Sequence, residues 1–281
     1  MGNLKHKIDF VAVVTAEMAN PNGDPLNGNR PRTDYEGLGE ISDVCIKRKI
    51  RNRMQDMGHA VFVKSDDRCD DGYESLSKRA EGNGFKTIKD QDEFYNKACK
   101  TWLDVRSFGQ VFAFSGLTCK SVGIRGPVSI HQAASVSPVE VISMQITKSV
   151  SGEKKGDSRA SDTMGMKHFV KFGLYTIKGS INVQLAEKTG FTEEDAEVIK
   201  EALRTLFIND ASSARPDGTM EMVRLYWFEH DCKDGRYSTA KVHRSVKISI
   251  KNGIVIPTSI DDYDITVEAL EGLEPEIIEG I

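Results

Sequence analysis

A proline- and asparagine-rich loop near the amino terminus limits what this chain can fold into. The stretch NPNGDPLNGNRPRTD, residues 20–34, contains three Pro, two Gly and four Asn. Pro removes a backbone donor, and Gly and Asn favour turns, so the loop is predicted to be neither helix nor strand. It would present backbone groups and small polar side chains in fixed turns. The apolar run before it, residues 8–16, predicts a strand buried on both faces.

A helix is predicted directly after the loop. Ser42 is a suitable N-cap, and Ile41 and Ile46 occupy the two positions of a hydrophobic staple. Gly58 is placed to end the helix. Its apolar stripe consists of Ile46, Ile50, Met54 and Met57.

Five cations lie on this helix within seven residues, and no acid between Ile46 and Met54 balances them. They are Lys47, Arg48, Lys49, Arg51 and Arg53. Guanidinium groups hold phosphates and amides reach bases and sugars, so the loop and helix together suit a phosphodiester chain. For the helix alone, a solvated amphipathic face is an equally good explanation.

Four further segments follow in order: DVRSFGQVFAF (104–114), VGIRGPVSIH (122–131), SDTMGMKH (161–168) and SSARPDG (212–218). With the loop and with ISDVCIKRKIRNRMQDMG (41–58), they resemble the backbone subunit of the type I-C CRISPR surveillance complex, Cascade. That subunit belongs to the Cas-seven superfamily of repeat-associated RNA-binding proteins. Each piece alone is modest, but the ordered set, from about residue 8 to about residue 250, is specific.

Periodicity predicts an α+β fold. Helical spacing of apolar residues marks 92–103 and 191–207, and Thr192 caps the second helix. Other predicted elements are strands at 128–131, 139–146, 169–185 and 223–228, a hairpin of 242–250 with 254–256, and polar loops at 66–84 and 148–167.

With the insertions removed, the order is strand, helix, strand, strand, helix, strand, which is the ferredoxin-like or RRM-like arrangement. The resemblance implies the same palm. It would span residues 1–258 as a single domain, with a finger-like insertion at about 59–121 and a thumb-like insertion at about 147–168. Residues 259–281 form an acidic C-terminal segment. Residues 167–175 lack the RNP1 pattern, so bases are not expected to stack on the sheet.

The charge distribution restricts any RNA site to a local track. The net charge is −4, but the segment 252–281 contains eight acids and no Lys or Arg. Removing that segment leaves 38 basic residues against 34 acidic ones, a net charge of +4 for the first 251 residues. So mild an excess predicts a basic track on a mixed surface rather than a wholly basic domain.

Cysteine usage and hydropathy indicate a cytoplasmic protein without metal or cofactor. The five cysteines are widely spaced and form no CxxC pair, and His230 and Cys232 have no second ligand pair nearby in sequence. Reduced thiols are expected. No apolar run reaches the ~20 residues of a membrane span, and no apolar signal region follows Met1.

Within the loop, the Pro and Gly residues make turns, and several donors exceed what turns require. The resemblance implies that Asn22, Asn29, Arg30 and Arg32 lie along an RNA channel and that the basic helix faces the guide RNA backbone.

Three further segments hold candidate RNA contacts. Arg106 and Gln110 are candidates, although a salt-bridged corner that holds the insertion to the palm explains Asp104 and Arg106 equally well. Arg125 lies on a tight turn between Ile124 and Gly126 and would point outward to a phosphate. His131 and Gln132 end a strand and are candidates for a base or ribose contact.

Met164 and Met166 lie in a polar segment with no helical stripe to bury them, so an RNA base step or a neighbouring subunit is expected to cover them. The resemblance implies that this thumb inserts between bases, with Lys167 and His168 beside the backbone.

The resulting hypothesis is a non-catalytic subunit that binds CRISPR guide RNA. Copies would stack head to tail along the guide, with target DNA bound through it. Further partners would be a repeat-processing end subunit, a large subunit and a recruited helicase-nuclease. No Walker A, GxGxxG, GxSxG or HExxH motif is present. Two alternatives stay open: an RNA-cleaving relative that uses Asp157 or Asp162, and a ferredoxin-like enzyme for a small phosphorylated ligand.

Overall fold

Residues 2–147 and 164–281 are described by a computed structural model of the protein. Asp157 and Asp162 lie outside these residues. The helices described are α1 (Asp43–Asp56), α2 (Leu76–Ala80), α3 (Gln91–Thr101), α4 (Leu103–Phe108), α5 (Val183–Thr189), α6 (Glu193–Arg204) and α7 (Thr239–Ser245). The strands described are β1 (Ile8–Ala19), β2 (Gly23–Asp24), β3 (Arg30–Pro31), β4 (Leu38–Ile41), β5 (Gly109–Phe112), β6 (Val122–Arg125), β7 (Val128–Ile130), β8 (Ala133–Pro138), β9 (Val141–Thr147), β10 (Met164–Ile181), β11 (Met220–Glu229), β12 (Val246–Ile250), β13 (Tyr263–Val267) and β14 (Glu276–Glu279).

A large antiparallel sheet organises the chain. Its order is β14-β11-β1-β10-β8-β4, and β7 and β9 pair with opposite ends of β10. The predicted strand at 8–16 is confirmed: every residue of that run is buried, because β1 lies in the middle of the sheet. The expected mixture of helices with a sheet is confirmed as well.

Both faces of the sheet are covered along β1. Alternate residues such as Phe10 and Ala12 pack with α1 and α6 on one face. Val11 and Val13 point to the other face, where Val242 of α7 and Tyr263 of β13 cover them. The sheet therefore offers no open face along β1 on which bases could stack.

Local signals set the ends of α1 and α6. The Ser42 hydroxyl accepts a hydrogen bond from the Cys45 N–H at 3.2 Å, and Gly58 has a φ of +82° just after α1. Thr192 and Asp195 form a reciprocal capping box at the start of α6. Both helix predictions are confirmed.

The insertion after α1 has an apolar cluster of its own, built from residues 62–124. Phe85 and Phe94 meet there at 4.8 Å between ring centroids, and the predicted stripe of 92–103 is confirmed because Phe94 and Trp102 are buried. The predicted flexible loop at 66–84 is wrong, since α2 lies within it. Arg79 of α2 is buried, bonded to Asp71 and to a backbone carbonyl, so a polar composition concealed an ordered segment.

Two loop predictions and one hairpin prediction need correction. Loop 20–34 contains the short pair β2 and β3, closed by Gly28 and Asn29 at positive φ. Of the predicted polar loop at 148–167, residues 164–167 belong to β10 instead, whose first seven residues pair with β9, and residues 148–163 lie outside the described residues. The hairpin partner of β12 is β13, not 254–256, and Val255 is exposed. Strand pairing between segments distant in sequence leaves no pattern in the local sequence. For the same reason no strand was predicted at the position of β8, which pairs with β10 and β4.

The acidic segment 259–281 packs on the same sheet. Tyr263 of β13 is buried, and β14 forms an edge strand beside β11. None of the helices among residues 2–147 and 164–281 is long and apolar enough to cross a membrane.

Candidate nucleic-acid interface

A cleft of about 450 Å3 opens beside α1. One wall is α1 itself, and the opposite wall is the turn of residues 209–215, which carries part of the SSARPDG segment. We call it the α1 cleft. Its lining consists of Asn22, Ser42, Val44, Cys45, Arg48, Lys49, Asn52, Asp67, Arg68, Asn209, Asp210, Ala211, Ser212 and Arg215.

Two of the five α1 cations point into the protein. Lys49 is 4% exposed and pairs with Asp210, and burial lowers the pKa of its ammonium group because it disfavours the charged form. Arg53 donates to the Thr205 hydroxyl at 3.1 Å and to Asp56 at 2.7 Å. Both cations therefore have intramolecular partners.

The other α1 cations are also paired. Arg51 donates to Asp104 at 2.9 Å, Lys47 pairs with Asp43 at 3.0 Å, and Arg48 lies 3.6 Å from Asp67. No acid lies between Ile46 and Met54, yet each of the five cations has a carboxylate partner, and three of these carboxylates come from outside the helix: Asp67, Asp104 and Asp210. Arg48 keeps half of its side chain exposed and lines the cleft, so it is the α1 cation best placed for a ligand.

Two further arginines of the cleft were missed by the sequence reasoning. Arg68 bonds to Asp56 at 2.6 Å and to the Asn209 carbonyl at 3.1 Å. Arg215 donates to Asp210 at 3.0 Å. Arg215 lies in the SSARPDG motif, which the sequence analysis recognised, so the motif could have identified it as a candidate. The sequence around Arg68 contains no comparable motif.

The amide-rich loop is fixed beside the cleft by its own side chains. Asn22 accepts the Ser42 N–H at 2.9 Å and so ties the loop to the start of α1. Arg30 donates to the Ser143 hydroxyl at 2.7 Å, and Arg32 lies 3.4 Å from Asp24. Asn22, Arg30 and Arg32, which were predicted to contact RNA, therefore have bonds within the protein that hold the loop in place.

A second cavity, of about 250 Å3, lies at the base of the ribbon formed by β9 and residues 164–170 of β10. We call it the ribbon cavity. The turn 209–215 contributes to both cavities. The lining consists of Asn20, Gly28, Asn29, Ile146, Met166, Lys167, His168, Phe169, Ser213 and Ala214. Four predicted site residues, Asn29, Met166, Lys167 and His168, meet here.

The ribbon presents its methionines to the outside. Met164 and Met166 are 65% and 54% exposed and, being two residues apart on one strand, share a face with His168. His168 Nδ1 lies 2.9 Å from the Ser143 hydroxyl and 3.5 Å from Arg30, so the ribbon also contacts the loop.

The remaining predicted residues line neither cavity. Arg106 forms two bonds of 2.8 Å with Asp195, as the salt-bridged-corner explanation requires. Gln110 bonds to the Val111 carbonyl, and Arg125 is exposed on the β5–β6 hairpin. His131 and Gln132 are exposed between β7 and β8, and the His131 ring lies 5.3 Å from that of His243.

The family model described as CRISPR-associated protein Cas7 matches residues 6–268. The chain belongs to the Cas7 family. The resemblance seen in the sequence is thereby confirmed at the level of the family. Both cavities and the whole ribbon lie within the matched residues.

This Cas7 protein is similar to a curated relative and to a solved structure. A CRISPR-associated protein Cas7 of Haloferax volcanii is 25% identical over 209 residues, 68% of this chain, and the match spans only 61% of that relative's length. A chain of a structure titled "CRISPR RNA-guided surveillance complex, pre-nicking" aligns with a TM-score of 0.53 and 15% identity, over 89% of this chain and 84% of that one. At 15% identity, this similarity shows that the two chains share a fold.

Within residues 2–147 and 164–281, no group of three or more His, Cys, Asp or Glu side chains is arranged to hold a metal ion. The two cavities are lined by cationic and amide side chains together with the carboxylates of Asp67 and Asp210, a set that suits binding by hydrogen bonds and charge.

Proposed function

We propose that this Cas7 protein is a non-catalytic subunit that binds guide RNA, and that it forms the backbone of a type I-C CRISPR surveillance complex. The observation that carries the proposal is the adjacency of the two cavities. The α1 cleft presents Arg48, Arg68 and Arg215, the ribbon cavity presents Lys167 and His168, and the turn 209–215 joins them. Such a track fits a single-stranded phosphodiester chain.

The carboxylate partners of the cleft arginines fit recognition of an RNA backbone in one position rather than unspecific attraction of any polyanion. Arg68 and Arg215 donate to Asp56 at 2.6 Å and to Asp210 at 3.0 Å, so their positions are set before RNA arrives, whereas Arg48 lies 3.6 Å from Asp67 and keeps half of its side chain exposed. Phosphate contacts position a nucleic acid, and its bases stay available for pairing with a target. This division would let the bound guide read target DNA.

For the fold, we propose a ferredoxin-like, RRM-like palm. The strands β1, β8, β10 and β11 alternate with α1 and α6 in the required order, strand, helix, strand, strand, helix, strand. The palm would span 1–258, with fingers at about 59–121 and a thumb at about 147–168. The acidic segment 259–281 would complete it through β13 and β14.

Several copies would stack head to tail along one guide. Such heterologous contacts form an open filament unless capped, so the RNA and the end subunits would set its length. The exposed methionines of the ribbon are available for the next copy or for RNA. A repeat-processing subunit, a large subunit and a recruited helicase-nuclease would complete the partners, as the family resemblance implies.

Charge reversal tests the RNA track. We expect Arg48→Glu and Arg68→Glu each to weaken guide binding for all guide sequences alike and to reduce the salt slope of binding by ~0.7 for each phosphate that is no longer neutralised. Arg244→Glu is the matched control, because Arg244 is exposed on α7, which covers the opposite face of the sheet from α1. Unchanged affinity and salt slope in both cleft variants would exclude this track.

The non-catalytic assignment has a separate test. Purified protein incubated with guide, complementary RNA, and magnesium or manganese should leave both strands intact. Cleavage that disappears in Asp157→Ala or Asp162→Ala would instead identify an RNA-cleaving relative.

A further inference from the structure

One of the two carboxylates that line the α1 cleft contributes little to holding the fold. Asp210 is 13% exposed and pairs with both Lys49 and Arg215, so it ties the opposite wall of the cleft to α1. Asp67 also lines the cleft, but its side chain is 73% exposed. In the part of the chain that the structure describes, its one ion pair is with Arg48 at 3.6 Å, which is beyond hydrogen-bonding distance. Stability of the fold therefore does not account for a negative charge at this position.

The turn that carries Asp67 is anchored at the edge of the cleft. The next residue, Arg68, donates to the Asp56 carboxylate at 2.6 Å and to the Asn209 carbonyl at 3.1 Å. The same guanidinium donates to the Asn52 carbonyl of α1 at 3.4 Å. These bonds hold the backbone directly beside Asp67, so its carboxylate stays at the cleft although the side chain itself is exposed.

A carboxylate at this place competes with phosphate for the same cation. Both are anions whose oxygens accept hydrogen bonds from a guanidinium group. A phosphate can contact Arg48 fully only after Asp67 has moved aside, and until then the carboxylate also repels the incoming anion. The side chain of Arg48 is half exposed, so exchanging one anion for the other requires no change in the core.

We propose that Asp67 is a built-in competitor that sets the affinity of the phosphate site at Arg48. In the free protein Asp67 lies against Arg48; in the complex the guide backbone replaces it, and Asp67 turns to solvent. This inference rests on the proposed RNA-binding function and adds a residue that opposes binding to the residues that favour it. Every anion that uses Arg48 meets the same penalty. A long RNA with further contacts at the ribbon cavity can offset that penalty, whereas a short anion cannot.

Asp67→Asn tests the competitor, and Asp66→Asn is the matched control. Asp66 is the preceding residue of the same turn and is also exposed, but it does not line the cleft. Each variant is titrated with one short single-stranded RNA at a fixed salt concentration. The modest strength of exposed ion pairs limits the expected effect, so Asp67→Asn should bind RNA about 2- to 5-fold more tightly than the native protein. Asp66→Asn should bind like the native protein.

A double-mutant cycle links the effect to Arg48. Arg48→Gln removes the cation for which the carboxylate and the phosphate compete, and Asp67→Asn is then added to it. We expect the tightening seen in the native background to disappear in this one, because the two residues act as a coupled pair. A loss of negative charge that acted through the general field of the protein would tighten binding in both backgrounds.

The outcomes separate this inference from the proposed function. If Arg48→Glu and Arg68→Glu bind RNA like the native protein, the RNA track is absent and the competitor is overturned with it. If those variants bind weakly while Asp67→Asn binds like the native protein, the track stands and only the competitor is overturned. Weaker binding by Asp67→Asn also overturns it, because Asp67 would then position Arg48 for the phosphate. Equal tightening by Asp66→Asn, or tightening that persists with Arg48→Gln, would assign the effect to net charge instead.

Discussion

Asp104 is the carboxylate that joins the insertion after α1 to α1 itself, and its replacement should destabilise the protein strongly. The side chain is 1% exposed. It accepts the Phe62 and Val63 N–H groups at 2.7 and 3.1 Å and the Arg51 guanidinium at 2.9 Å. Asp104→Asn keeps the shape of the side chain but removes its charge, and the new amide must turn its N–H2 toward one of these donors.

The magnitude follows from the three bonds. Hydrogen bonds to a charged group are worth about 1.5–3 kcal/mol each, and breaking a buried ion pair by removing one partner costs about 3–5 kcal/mol. We therefore expect Asp104→Asn to lower the free energy of unfolding by about 3–5 kcal/mol. At ~2 °C per kcal/mol for a chain of this size, the melting temperature should fall by about 6–10 °C.

Urea unfolding and thermal melting of the free protein measure this change. Asp67→Asn is the matched control, because Asp67 is 73% exposed and its pair with Arg48 spans 3.6 Å. An exposed pair contributes about 0–1 kcal/mol, so the control should melt close to the native protein. Should Asp104→Asn melt like the control, the carboxylate does not hold the insertion, and Arg51 becomes free to serve as an RNA contact.

Three further outcomes are expected. Gly109→Ala should cost more than about 1 kcal/mol in urea unfolding, because φ is +81° and the added Cβ would lie 2.3 Å from the Ile124 carbonyl oxygen, while Gly123→Ala on the paired strand meets open space and should be neutral; equal costs would contradict this. Burial lowers the pKa of His243, so below pH 6.5 the unfolded state binds a proton that the native state does not. The free energy of unfolding should therefore decrease as the pH is lowered below 6.5, and it should decrease less steeply in His243→Gln. Parallel pH profiles for the two proteins would refute this reasoning. The double variant Met164→Ser, Met166→Ser should change unfolding by less than about 0.5 kcal/mol but impair assembly on RNA seen by electron microscopy; a sharp drop in melting temperature would place the methionines in a core.

Features set by neighbours in sequence were predictable. Ser42 and Gly58 delimit α1, and Thr192 starts α6, because caps act within one turn of the helix. The burial of 8–16 followed from its continuous apolar run. The recognised order of motifs identified the family, which no single element could have done.

Features set by distant neighbours were not predictable. Lys49 carries the same signal in the sequence as Arg48, yet Lys49 points inward to Asp210 while Arg48 lines the cleft. Arg68 enters the cleft only because the insertion folds back beside α1. Likewise, β12 pairs with β13 across an intervening segment whose composition suggested the nearer partner.

The unbroken course of β10 makes the length of the ribbon adjustable only in steps of two residues. Residues 170–181 pair with β1 in the sheet, and residues 164–170 of the same strand pair with β9. Side chains alternate along a strand, so the register that buries Leu174 also decides which face carries Met164 and Met166. Inserting one residue between them and the sheet would turn both methionines to the reverse side of the ribbon, whereas inserting two would only move them outward by about 7 Å. Relatives with longer or shorter ribbons should therefore differ by even numbers of residues in this strand.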